Sequence, residues 1–124
     1  MSYYPLNSIP DYYVIDVLLQ EEHILIRNSV RDWVQSFIMP QIDDAAQHHK
    51  DIPNLMKELG AIGALGPYIP EEYGGAGLDQ ISYGLIMQEL ERGDSAVRSA
   101  ASVQSSLVMF PIYEFGSEEQ KLKY

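Results

Sequence analysis

The chain has no cysteine in 124 residues. That excludes a disulfide framework and any thiolate metal site, and it fits the cytoplasm, the compartment expected here. Basic residues are also few: Lys and Arg total 8 against 18 Asp and Glu, for a formal charge of −10. Nucleic acid attracts mainly Lys and Arg, so this balance argues against it as a partner, and against anionic membrane surfaces too. A small anionic ligand is still allowed, because it answers to the local field of a pocket and not to net charge. No uninterrupted apolar stretch approaches the roughly 20 residues needed to span a bilayer. The opening residues MSYYPLNSIPDYY lack the basic region and apolar run of a secretory signal. Strand-like alternation is weak everywhere, and there is no internal repeat or low-complexity tract.

What is present is helical spacing. Residues 1–16, rich in Tyr, Pro and Asp, read as an extended lead-in partly packed through Tyr12, Tyr13, Val14 and Ile15. Residues 17–124 read as one all-α domain of about five or six helices. From about Leu18, the residues Ile24, Ile26, Val30, Trp33, Val34 and Phe37 recur at three- and four-residue steps, and Pro40 ends or kinks that helix. Residues 41–50 read as a helical turn or two. Pro53 is placed to open the next helix, with Leu55, Met56 and Leu59 as its buried side. Gly60 to Gly77 reads as a long loop. Asp79 caps a helix to about Arg92 that carries Ile81, Leu85, Ile86 and Leu90. Gly93 closes it, Asp94 caps the next, and Gly116 stops that one after Phe115. Ser117 and Gln120 form a capping box for a last helix. This helix has a start signal and no stop, so the chain is expected to be cut from something longer.

Few residues carry chemistry. Asp44, His48 and His49 do not make a metal site, since two ligands on one face are too few. His23 is expected to be solvated in a polar first turn. Gly74, Gly75 and Gly77 lack both phosphate-loop patterns and read as a structural turn. No Ser-His-Asp set can be assigned and no Cys nucleophile exists, so no catalytic residue is expected in this chain.

Arg98 is different. One turn into its helix, it sits at the positive end of the macrodipole, an unfavourable place for a cation. One reading pairs it with Asp94 or with Glu91 across the turn. The other makes it a guanidinium fork awaiting a carboxylate, with the hydroxyls of Ser99 and Ser102 alongside. The residues alone leave both open. The Ser and Ala run from Ser95 to Ser106 also suits close helix packing.

The passages EEHILIRNSVRDWVQSFIMP and ELGAIGALGPYIPEEYGGAGLDQISYGLIMQELER resemble the N-terminal helical domain of the acyl-CoA dehydrogenases. The segment DSAVRSAASVQSSLVMFPIYEFGSEEQKLKY resembles the glutaryl-CoA dehydrogenase branch more closely. The resemblance implies that Arg98, Ser99 and Ser102 contact the free carboxylate of the glutaryl chain, with Glu91 positioned to influence Arg98. It implies flavin chemistry with FAD: a glutamate removes a proton beside the thioester carbonyl, hydride passes from the β carbon to FAD, and loss of CO2 gives crotonyl-CoA. It also implies acyl-CoA as substrate, an electron-transfer flavoprotein as acceptor, and a tetrameric full-length protein. In the family a β-barrel and a second helical domain follow; they supply most FAD contacts and the glutamate base. A chain lacking them is expected to be inactive by itself. The competing readings are a dehydrogenase for another acyl chain and a free-standing helical interaction module.

Overall fold

The computed structural model describes residues 12–124; the earlier part of the lead-in lies outside the described residues. Tyr12, Tyr13, Val14 and Ile15 do not pack as expected, since all four are exposed. Ile15–Leu18 forms a 3-10 turn. It is tied to the first helix by Arg27, whose Nη1 and Nη2 donate to the two carboxylate oxygens of Asp16. The helices are α1 (Glu21–Trp33), α2 (Ile42–His48), α3 (Leu55–Ala61), α4 (Gln80–Gly93), α5 (Ser95–Ser102), α6 (Phe110–Phe115) and α7 (Glu118–Lys123). A π segment, Val103–Met109, joins α5 to α6 in one rod, so the described residues form six rods and no strand.

Both π segments run into a proline. Val34–Ile38 extends α1 and stops just before Pro40; Val103–Met109 leads into Pro111. A proline removes one backbone donor and its ring crowds the carbonyl four residues back. Widening the turn to an i→i+5 pattern moves that carbonyl aside without breaking the rod. Pro53 acts otherwise than expected. It lies in the turn before α3, which begins at Leu55 behind Asn54, whose φ of 57° is left-handed.

The core draws on most of these elements: Val30, Val34 and Ile38 from α1 and its extension, Leu59 from α3, Ile86 and Leu90 from α4, Val97 and Ala101 from α5, with Ala64 from the loop. Each large aliphatic contributes about 1.5–3 kcal/mol by leaving water. Met56 and Ile81, expected inside, are exposed at 44% and 51%. The end of α4 approaches the α1 extension so closely that a Cβ on Gly93 would lie 2.6 Å from Val34 Cγ1. Glycine is needed there for space.

Two polar ties lock α1 onto α4. Glu89 is fully buried. Arg31 grips it with a two-pronged bond, Nε to Oε2 at 2.9 Å and Nη2 to Oε1 at 2.8 Å, and Arg92 Nε lies 3.6 Å from Oε1. The bond to Glu89 raises the Arg31 pKa above its ordinary value. The second tie corrects the reading of His23, which is 4% exposed and not solvated. Its Nδ1 accepts from the Gln20 backbone N–H, so in the neutral ring Nε2 carries the proton and donates to Asp79 Oδ2 at 2.8 Å. The other oxygen of Asp79 caps α4 by accepting from Ser82 N–H at 2.8 Å. The Ser82 bond, then the His23 bond, hold the Asp79 carboxyl at about 2.

Two outcomes follow. Glu89→Ala leaves two guanidinium groups facing an empty buried position and is expected to lower unfolding stability by about 3 kcal/mol or more in urea titration. Asp79 has a depressed folded pKa, so its contribution is whole above the ordinary value of 3.8 and is lost as pH falls toward about 2. The urea midpoint is therefore expected to drop between pH 4 and pH 2 (roughly the window between the two pKa values). The drop should be shallower in Asp79→Asn.

Candidate functional site

The site is built on the corner between α4 and α5. Asp94 turns the chain there in extended conformation, and its Oδ1 accepts from Ala96 N–H at 2.8 Å and Val97 N–H at 3.0 Å. Asp94 is thereby committed to the backbone and does not pair with Arg98. Glu91 does. Arg98 Nε donates to Glu91 Oε2 at 2.6 Å across seven residues and the corner. Glu91 Oε1 accepts from Ser95 Oγ, also at 2.6 Å. Both carboxylate oxygens of Glu91 are therefore engaged, and the Ser95 bond first, the Arg98 bond second, lower its pKa.

The far edge of the guanidinium faces the hydroxyl side. Arg98 Nη1 donates to Ser102 Oγ at 3.3 Å, and Ser102 Oγ donates to the Ser99 carbonyl at 3.2 Å. The Arg98 side chain is 35% exposed. The structure thus brings together Arg98, Ser102 and Glu91 as the sequence suggested. Ser99 enters through its carbonyl. Ser95 is a participant that spacing could not reveal: it lies four residues from Glu91, but the helix breaks between them at Gly93 and Asp94, so the i,i+4 rule does not apply.

Behind this corner, Ser105 is fully buried within the π segment. Its hydroxyl accepts from Gly66 N–H at 2.9 Å and donates to the Ala101 carbonyl at 2.8 Å, pinning the glycine-rich loop to the rod. The glycines of that loop hold a turn. Gly74 N–H donates to Glu71 O, Gly75 N–H to Pro70 O and Gly77 N–H to Ile69 O. A Cβ at Gly75 would sit 1.9 Å from the Ile69 carbonyl oxygen. With these amides spent inside the loop, no phosphate cradle is left.

A second polar cluster fixes α7. Tyr73 Oη donates to Glu118 Oε2 at 2.8 Å. Lys121 Nζ reaches Glu118 Oε1 at 3.1 Å and lies 5.7 Å and 5.5 Å from the ring centres of Tyr73 and Tyr113. These contacts, with the Ser117–Gln120 capping box, explain how a six-residue helix holds. Tyr73, Tyr113 and Lys121 line a groove of about 60 Å³ with Leu65, Ile69 and Met109. A second, shallow groove of about 340 Å³ runs along Pro111, Phe115 and Tyr124.

The fold and the corner together define an all-helical domain with a guanidinium fork at its surface. The acyl-CoA dehydrogenase N-terminal domain model matches residues 20–124, and the chain belongs to the acyl-CoA dehydrogenase family. A probable acyl-CoA dehydrogenase of Bacillus subtilis is 40% identical over 105 residues, covering 84% of this chain and 18% of that protein. The human mitochondrial short-chain specific acyl-CoA dehydrogenase is 36% identical, covering 85% of this chain and 26% of that one. A glutaryl-CoA dehydrogenase of Mycobacterium smegmatis, solved in complex with FADH2, superposes with a TM-score of 0.86 at 41% identity, over 90% of this chain and 29% of that one. The chain therefore spans between 18% and 29% of the length of these relatives.

FAD is the cofactor of the family, as the mycobacterial relative illustrates. Neither of these two grooves suits a flavin. One groove is far too small, the other offers no cation for a pyrophosphate, and Lys121 and the loop amides are already engaged. No helix among the described residues is long and apolar enough to cross a membrane.

The bond to Glu118, ahead of desolvation, pushes the Tyr73 phenol up to about 12. A raised pKa means the contact is intact below the ordinary value of 10.0 and is lost as pH rises through about 12. Alkaline titration followed by phenolate absorbance is expected to show a late-titrating tyrosine that disappears in Tyr73→Phe.

Proposed function

We propose that residues 17–124 are the substrate-binding helical domain of a FAD-dependent acyl-CoA dehydrogenase, with residues 1–16 as its lead-in. In the full-length protein the reaction is the oxidative decarboxylation of glutaryl-CoA to crotonyl-CoA. One observation carries this reading. Glu91 occupies the Nε edge of Arg98, which leaves the Nη edge beside Ser102 for a ligand carboxylate. A guanidinium matches a carboxylate with two parallel bonds, so this edge selects an acyl chain ending in an acid. Ser102 lies beside this edge, and its hydroxyl, with that of Ser99, would share the carboxylate. The 41% identity to a glutaryl-CoA dehydrogenase supports the choice of chain.

FAD would supply the oxidising power, held by parts of the protein beyond the described residues, where the catalytic base would also lie. The role of this chain is to bind and orient the far end of the thioester. Taken alone it would be inactive. An electron-transfer flavoprotein as acceptor, a tetrameric assembly and a cytoplasmic location belong to the same proposal. A second reading, a short-chain dehydrogenase that oxidises without decarboxylation, is favoured by the short-chain specific human relative and by the charge of Glu91, which already offsets Arg98.

In the full-length enzyme, Arg98→Ala is expected to lower kcat/KM for glutaryl-CoA by about 2 kcal/mol of transition-state binding, near the low end for breaking a charge pair because the side chain is partly exposed. Turnover of butyryl-CoA should change little. Crotonyl-CoA as product supports the decarboxylating reading. Equal losses on both substrates would falsify the role of Arg98.

A further inference from the structure

We infer that Ser95 is a positioning residue that keeps the Nη edge of Arg98 open to the substrate carboxylate. The inference rests on the proposed role of Arg98 and extends it to a side chain that touches no substrate.

Glu91 lies near the end of α4 and is 47% exposed, so packing does not fix its rotamer. Its carboxylate could meet the guanidinium in two ways. It could form the forked pair on the Nη1 and Nη2 edge, which is the geometry a free carboxylate also seeks. It could instead bind the Nε side and leave the end edge clear. The structure shows the second, with Oε2 on Nε at 2.6 Å. What holds Oε1 away is the Ser95 hydroxyl, also at 2.6 Å. Ser95 is the first residue of α5, directly after the Asp94 cap, so a rigid helix start sets its position. The Ser102 contact on Nη1 restrains the guanidinium from the opposite side.

Without the Ser95 hydroxyl, Glu91 is free to swing onto the edge that the ligand needs. The internal carboxylate then competes with the substrate's own. The cost falls on recognition of a dicarboxylic thioester, while a thioester with a methyl end has nothing to lose. Substituting Ser95 also leaves the fold intact, because Asp94, not Ser95, caps the helix and alanine is the best helix former.

The test uses the full-length flavin-loaded enzyme with glutaryl-CoA and butyryl-CoA. Ser95→Ala is expected to raise KM for glutaryl-CoA about tenfold, the size of one hydrogen bond to a charged group, with kcat and the KM for butyryl-CoA unchanged. Ser95→Thr, which keeps the hydroxyl, should restore the KM. Glu91→Gln in the Ser95→Ala background should recover part of it by weakening the competitor. Arg98→Ala is measured in parallel. If it discriminates between the substrates while Ser95→Ala does not, Ser95 has no positioning role and Arg98 keeps its own. An equal rise in KM for both substrates in Ser95→Ala, without rescue by Thr, makes Ser95 structural. No discrimination by Arg98→Ala overturns both readings together.

Discussion

A buried carboxylate sets the geometry of this domain. Glu89 is sealed from water between α1 and α4 and is neutralised by the two-pronged grip of Arg31, with Arg92 nearby. An unpaired charge there would cost several kcal/mol, so the two helices have little freedom to slide. Four residues later the same helix ends at Gly93, pressed onto Val34 so closely that no side chain fits. The corner that follows inherits both constraints. Glu91 leaves α4 and Ser95 enters α5 at fixed places, which is why a carboxylate, a hydroxyl and a guanidinium meet across a break in the helix.

The charge of the site runs against that of the molecule. A chain at −10 repels anions at long range. At the corner the balance is local: the Arg98 guanidinium faces the Glu91 carboxylate with hydroxyls around them, while the Asp94 carboxylate is turned to backbone amides. Such a site attracts a monoanion weakly by field alone and depends on geometry for its selectivity, meaning which edge of Arg98 faces outward. Loss of directional bonding therefore matters more here than loss of net charge.

The local signals in the chain were largely legible. Asp79, Asp94 and Ser117 cap the helices they were expected to cap, and Gly116 follows the rod that ends at Phe115. A cap is decided by a side chain and the next three backbone amides, all within reach of sequence reasoning. Burial was less legible wherever it depended on a partner far along the chain. His23 looked like a polar first-turn residue because Asp79, its partner, lies 56 positions away. Nothing local marks Glu89 as buried, because Arg31, its partner, lies 58 positions away. Neither π segment was expected; Pro40 and Pro111 were its only trace, and a proline can equally end a helix or kink it.

Composition, caps and helical spacing by themselves determined an all-helical chain with no cysteine chemistry, and they marked Arg98 as a cation in an unfavourable place. They could not say how Arg98 is occupied, because spacing allows pairing with Glu91 and with a ligand alike. The tertiary structure decided that. Closing the α4–α5 corner commits Asp94 to backbone amides and swings Glu91 onto one edge of the guanidinium. Which edge is left over is a matter of three-dimensional direction, and one-dimensional spacing carries no information about direction once a helix has been interrupted.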